Sequence, residues 1–467
     1  MKKIFLLILI IAISYNCFAQ KEIAGFWKGH IEIMGNELII KTQFFEENNS
    51  IAGKLDIPQQ MAIGLPLSNF NFTKDTVSFE LFLNQTNIAR FTGKFTSDSI
   101  SGYFNQSGVK GTFYLAKTEK EEEGTIFLPA DYNEEEATFY NDKVKLAGTF
   151  SYPKGKGPFP AVILISGSGQ QDRDEDITGF KVFALLANYL SNTGFAVLRY
   201  DDRGVGGSDT GDIENATTRT FADDANAAFQ YLKKRKEINP NKIGFLGHSE
   251  GGAIGTMLAA EHKDVAFLIL MSGPGIIGEQ VILSQLEAII RASGSSEEEI
   301  THTLETQKLV MQAVKTGNGW NEVKEIILND LKKSIDELPE EARKQLNISE
   351  KELEKRAEMQ LKAAQTKWYK YFIQYDPAKD LEKVKCPVLA MFGEKDLQVV
   401  PDLNKKAVEN ALKKGGNDNF QIELFKDANH LFQKANTGLM DEYAILDKNF
   451  LDGFLEYVIA WLQKNTK

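Results

Sequence analysis

Cysteine is almost missing from this chain, with two residues in 467, Cys17 and Cys386. A disulfide framework, the usual staple of small exported domains, is thereby excluded. Histidine is scarce too, with five. Neither His-Glu-x-x-His nor paired cysteines occur, so no metal and no other cofactor is expected. Basic residues do not dominate: Lys+Arg is 54 against Asp+Glu 65, a net charge of −11. That sign argues against nucleic acid or an anionic membrane as partner.

Long apolar runs are missing beyond the first. Met1-Lys2-Lys3, an apolar run from Ile4 to Ile13 and then Cys17-Phe18-Ala19 fit an export signal over 1–19, cleaved after Ala19. The run is short of the roughly 20 apolar residues that span a bilayer, so no stable membrane anchor is expected. The predicted destination is periplasmic or secreted, with lipid attachment at Cys17 the weaker reading. Cleavage leaves Cys386 as the one thiol. Set before Pro387 at the head of an apolar strand, it reads as a buried structural residue.

What is present is enough chain for two cores. In a module placed at 20–117, residues from Gly25 to about Lys117 alternate with a period near two and carry frequent turn residues, which predicts about eight short antiparallel strands. Ile51-Ala52-Gly53-Lys54-Leu55, Phe91-Thr92-Gly93-Lys94-Phe95 and Ile100-Ser101-Gly102-Tyr103-Phe104 repeat an apolar-x-Gly-x-apolar core. Closure into a barrel removes exposed edges, and Gly25-Phe26-Trp27 resembles the opening of lipocalin-like barrels. Such a module either holds an apolar ligand or glycan, or packs without one. A charged linker is expected over 118–135.

From 136 to 467, apolar strand candidates alternate with helical stretches, the pattern of an α/β fold with a mostly parallel, buried sheet. The strands read at Ala137–Tyr140, Lys145–Tyr152, Ala161–Ile165, Phe195–Tyr200, Lys242–Leu246, Ala266–Leu270, Val388–Phe392 and Gln421–Phe425. Gly247-His248-Ser249-Glu250-Gly251 ends the fifth of these. A serine on so sharp a strand-to-helix turn needs small neighbours two residues to either side, and the helix that follows aims unpaired N–H groups at it.

A serine nucleophile needs a base. His30 falls in the β-rich module, His262 closes the helix after the elbow, and His302 belongs to a helical insertion. His248 shares the turn with Ser249 and is expected to point elsewhere. His430 remains, in a loop after the last strand. The acid that orients it is expected at Asp396, after Val388–Gly393, with Glu394 as competitor. Tyr200-Asp201-Asp202-Arg203-Gly204-Val205-Gly206-Gly207-Ser208 lacks the third glycine of a dinucleotide loop and reads as a structural turn held by Arg203 on a carboxylate.

Jointly, Gly247-His248-Ser249-Glu250-Gly251-Gly252, Asp202-Arg203-Gly204-x-Gly206-x-Ser208, Gly393-x-x-Asp396 and Asn429-His430 resemble the α/β-hydrolase superfamily over residues 136–463, near its esterase and serine-aminopeptidase-like branches. The resemblance implies a Ser249, Asp396, His430 triad acting through an acyl-enzyme. The oxyanion donors implied are the backbone N–H groups of Glu250 and Ser168. Many relatives carry His-Gly where this chain has Ser166-Gly167, which leaves Gly169 as the alternative first donor.

A helical cap is expected over about 276–376. Ser296-x-x-Glu299 and Ser349-x-x-Glu352 read as capping boxes, and the second helix would present Trp368, Tyr371, Phe372 and Tyr375 on one face. That face either packs the cap down or lines an acyl pocket. The function expected is hydrolysis of an ester or thioester of a small acyl group, with a small-molecule ester as partner. A serine aminopeptidase is the alternative enzyme, with Asp172, Asp174, Glu175 or Glu250 on a substrate ammonium unless they are solvated or paired with Arg173. A binding protein on an inactive hydrolase fold is the alternative of another class. Oligomeric state is not legible in the sequence.

Overall fold

The computed structural model describes residues 23–466 apart from 34–35, 48–49, 58–59, 61, 74, 83–87, 107–108, 120–124, 126, 338–339, 341–342 and 344–347. The expected export signal and Cys17 lie outside the described residues. The chain folds as two compact units.

One unit is centred on a closed barrel of eight antiparallel strands: β1 (Gly25–Ile33), β2 (Asn36–Glu47), β3 (Ser50–Ile57), β4 (Ala62–Thr73), β5 (Thr76–Phe82), β6 (Ile88–Phe95), β7 (Ser99–Gln106) and β8 (Val109–Thr118). β1 pairs back onto β8, with Trp27 opposite Lys117 and His30 opposite Tyr114, so no edge is left open. The glycine repeat has a steric cause. Gly93 faces Gly102 across β6 and β7, and a Cβ on Gly102 would stand 2.1 Å from the Thr92 carbonyl oxygen. Trp27, Phe44, Phe79, Phe91 and Phe113 fill the interior, with Phe79 stacked on Phe91 at 4.9 Å between ring centres. In small barrels the interior is wide enough for side chains to fill it. Asp330–Leu353 and Tyr443–Ile445 belong to this unit too.

The other unit carries an eight-stranded sheet. Its strands are β9 (Tyr132–Asn141), β10 (Val144–Pro153), β11 (Phe159–Ile165), β14 (Ala196–Tyr200), β15 (Ile238–His248), β16 (Leu268–Met271), β17 (Val388–Gly393) and β18 (Phe420–Phe425). A two-residue ribbon, β12 (Asp176–Ile177) with β13 (Phe180–Lys181), stands apart. The order across the sheet is β18-β17-β16-β15-β11-β14-β10-β9. The six strands from β18 to β14 in that row run parallel, and the β9–β10 hairpin joins antiparallel. Burial of all six was expected. β18 departs from it, since at the sheet edge its residues are half-buried or exposed.

Helices α1 (Val182–Asn192), α2 (Thr218–Leu232) and α3 (Glu250–Glu261) cover the sheet, followed by α4 (Gly278–Ala292), α5 (Glu297–Thr316), α6 (Trp320–Asp336), α7 (Glu350–Ala364) and α8 (Lys367–Gln374) in the insertion. Ser296 and Glu299 cap α5 reciprocally. The aromatic face differs from its expectation. α7 ends at Ala364, and Thr366 Oγ1 accepts the Tyr369 N–H to begin the separate helix α8, because a threonine side chain there competes for the backbone donor. Trp368 stacks on Phe372, whereas Tyr371 and Tyr375 pack against the core of the sheet. No helix of the described residues is long and apolar enough to cross a membrane.

Candidate active site

Six parallel strands deliver their carboxyl ends to one edge, which is where an α/β sheet places its chemistry. β15 ends in the elbow. Ser249 has φ 53° and ψ −119°, a left-handed conformation that costs a non-glycine residue about 1–3 kcal/mol and persists only where its surroundings enforce it. They do so by close approach. A Cβ on Gly247 would lie 2.0 Å from the Gly251 carbonyl oxygen, and one on Gly251 would lie 2.0 Å from that of Ile165. α3 starts at Glu250, so its first N–H groups, which have no partner within the helix, surround the serine.

Asp396 follows β17 and His430 follows β18. Both are buried, and His430 Nδ1 stands 2.9 Å from Asp396 Oδ2. The other Asp396 oxygen accepts the N–H groups of Gln398 and Val399 at 2.8 and 2.9 Å. Burial works against this carboxylate, but His430 and the Val399 N–H outweigh it and hold the Asp396 carboxyl below its usual range. Glu394, the competing acid, instead accepts the Asp427 N–H and makes no bond to His430.

The turn after β11 packs directly on Ser249, since a Cβ on Gly167 would lie 3.3 Å from Ser249 Cβ. Gly167 gives its own N–H to Glu175 Oε1 at 2.9 Å. Ser168 comes next and is exposed. Gly169 has φ 98°.

Two expectations need correction. His248 does not point away from the chemistry. Its ring lies 4.7 Å from that of His430 between centres, with Nδ1 2.8 Å from Glu175 Oε1 and Nε2 3.1 Å from the His430 carbonyl oxygen. The strained turn at Ser249 sends the preceding side chain inward, under the loop that carries His430. The acids after β11 are not paired with Arg173 either. Arg173 takes Asp201 and Glu136, because the turn at Asp201 and Asp202 brings a buried carboxylate closer than its sequence neighbours. Asp174 pairs with Arg199 and Lys181, Asp172 caps the backbone of Asp174 and Asp176, and Glu175 is fully buried, its Oε2 without a hydrogen-bond partner.

Sequence reasoning also missed a hub at Glu250. Its buried carboxylate accepts from Thr218 Oγ1 at 2.5 Å and from Trp368 Nε1 at 2.9 and 3.1 Å. Burial raises its pKa, against the pull of those donors. Trp368 thus ties helix α8 of the insertion to the residue beside Ser249, and only the aromatic pattern hinted at it. Nearby, burial, opposed by Gln171 N–H and the Ser166 hydroxyl and reinforced by Glu175 and Asp224, pushes the Asp202 carboxyl up to about 7. The structural turn itself is held as expected, with Arg203 on buried Asp224 at 2.5 and 2.7 Å. Cys386 is a free thiol, pushed up to about 12 by burial. Among the described residues no cluster of three or more His, Cys, Asp or Glu could hold a metal ion.

A mostly parallel sheet with a strained serine elbow at its carboxyl edge defines an α/β-hydrolase. Within that class the chain belongs to the family described as serine aminopeptidase, S33, which matches residues 179–434. Esterase EstD of Thermotoga maritima (strain ATCC 43589 / DSM 3109 / JCM 10099 / NBRC 100826 / MSB8) is 30% identical over 388 residues, 81% of this chain and 80% of that protein. Solved structures similar to this chain include a proline iminopeptidase from Mycobacterium smegmatis, 14% identical with a TM-score of 0.43 over 71% of this chain and 99% of that one. An esterase from Pyrococcus furiosus is 14% identical, with a TM-score of 0.40 over 75% and 100%. The chain is therefore a hydrolase, related in sequence to an esterase.

Proposed function

We propose that this hydrolase cleaves carboxylic esters, or thioesters, of a small acyl group through Ser249, His430 and Asp396. The observation that carries the reading is His430, held on Asp396 beside an elbow that strains Ser249. In this mechanism His430 Nε2 takes the Ser249 proton as Oγ adds to the substrate carbonyl. Asp396 keeps the His430 tautomer with its proton on Nδ1 and steadies the imidazolium. The oxyanion meets the N–H groups of Glu250 and Ser168, the latter being the next donor once Gly167 is committed to Glu175. His430 returns the proton to the leaving alcohol or thiol, and water, activated by the same base, then frees the acyl group.

An ester is favoured over an aminoacyl substrate because the acids offered for an ammonium are engaged. Glu250 accepts from Thr218 and Trp368, Asp174 is paired with Arg199 and Lys181, and Glu175 is sealed beneath His248. The apolar N-terminal stretch is proposed as an export signal.

Ser249→Ala should abolish turnover of a short-chain p-nitrophenyl ester while the protein stays folded. Residual wild-type-like turnover would refute the assignment, and faster cleavage of an aminoacyl anilide than of the ester would transfer the reading to a peptidase. Failure of a fluorophosphonate to label Ser249 would favour an inactive binding protein.

A further inference from the structure

We propose that Glu175 and His248 form a buried positioning pair that registers the turn after β11 and the loop bearing His430 against the serine elbow. The proposal rests on the reading of Ser249 and His430 given above, and it adds two residues which that mechanism does not use.

The His430 carbonyl oxygen only accepts, so His248 Nε2, 3.1 Å away, must carry a hydrogen. His248 Nδ1 faces Glu175 Oε1 at 2.8 Å, and that same oxygen receives the Gly167 N–H at 2.9 Å. One further proton therefore lies between Nδ1 and Oε1. Burial disfavours an imidazolium here, but the Glu175 carboxylate more than compensates, and the His248 pKa is raised. A charge-assisted bond of this kind is stronger and more directional than a neutral one.

Three separate segments meet at the pair. Gly167 belongs to the turn after β11, His248 ends β15, and His430 sits after β18. His430 is consequently held at two points, by Asp396 through its ring and by His248 through its backbone. Committing the Gly167 N–H to Glu175 fixes which N–H comes next in the oxyanion turn. Glu175 has φ 48°, and a buried non-glycine residue keeps such a conformation only when its side chain is fixed elsewhere. The carboxylate bond to His248 and Gly167 supplies that fixation.

The test uses the full-length protein with Glu175→Gln, His248→Phe and the double variant. Two readouts are taken: the rate of fluorophosphonate labelling of Ser249, and hydrogen exchange along 166–171 and 427–433. Each single variant should slow labelling of the folded protein about 10- to 100-fold, as misplacement of a base does, and should also lower the melting temperature because it leaves a buried partner unpaired, so labelling is normalised to the folded fraction. The double variant should be no slower than the worse single, the signature of residues acting as one unit. Exchange should rise in both segments and stay unchanged in the C-terminal helix Phe454–Asn465. Labelling within twofold of wild type together with unchanged exchange overturns the proposal, as does slowed labelling that only tracks a general loss of folded protein. If wild-type Ser249 fails to label, the nucleophile assignment is what has failed, and the exchange data still decide whether the pair holds the two segments.

Discussion

Replacing Asp396 by Asn changes one atom of the proposed site and leaves its shape. The Asn oxygen can keep the Gln398 and Val399 N–H bonds now made at 2.8 and 2.9 Å, which turns the amide nitrogen toward His430 Nδ1, 2.9 Å from the present carboxylate oxygen. Two nitrogens that both carry hydrogen cannot bond, so His430 shifts its proton to Nε2. That is the atom that has to receive the Ser249 proton. Loss of a hydrogen bond to a charged partner removes about 1.5–3 kcal/mol from the imidazolium, and the wrong tautomer adds to it. The sum should approach the roughly 10^4-fold fall in kcat known for this change in other Ser-His-Asp enzymes, or about 5.5 kcal/mol at 1.36 kcal/mol per tenfold. KM should hardly move, because the carboxylate touches no substrate. The assay is p-nitrophenyl ester turnover, normalised to the folded fraction from a thermal melt. A kcat within tenfold of wild type in a folded Asp396→Asn protein would remove Asp396 from the mechanism.

Other perturbations test neighbouring parts of the site. The Asp202 carboxyl, pushed up to about 7, keeps its proton where an unfolded one, near 3.9, has lost it. Its contribution is therefore complete below about pH 4 and is lost as pH rises through about 7, so Asp202→Asn should raise Tm at pH 8 and gain nothing at pH 4. Equal Tm changes at both pH values would contradict the sign. Trp368→Phe removes the indole donor from buried Glu250, at a cost of about 1–3 kcal/mol; a lower Tm and a higher KM are expected, and no change in either would show that the link is idle. Gly247→Ala puts a methyl group 2.0 Å from the Gly251 carbonyl and should eliminate fluorophosphonate labelling, so a fully labelled Ala variant would mean the elbow is not as described.

Local patterning made much of the fold readable. Period-two alternation with turn residues yields the barrel strands, and the apolar runs from Ala161 to Phe392 yield central parallel strands, because such patterns follow from which faces a strand must bury. The Gly-x-Ser-x-Gly spacing is equally local, since Gly247 and Gly251 are demanded by atoms only a few residues away and by the strand alongside. With five histidines in the chain, scarcity itself directs attention to His430. Side chains whose partners lie far along the chain were another matter. His248 was read as turned away, yet it binds Glu175, 73 residues earlier, and the His430 carbonyl, 182 residues later. Glu250 bonds Trp368 at a separation of 118, and Arg173 passes over its acidic neighbours for Asp201.

The amino-acid sequence alone determined the α/β class, the β-rich module ahead of it and the serine on its turn, because each is written in contacts between near neighbours. Which acids are spent on structure, where His248 points and what fastens helix α8 to Glu250 were decided only when the sheet closed. Hydrogen bonds between distant segments depend on how strands are ordered across a sheet, and no local spacing encodes that order.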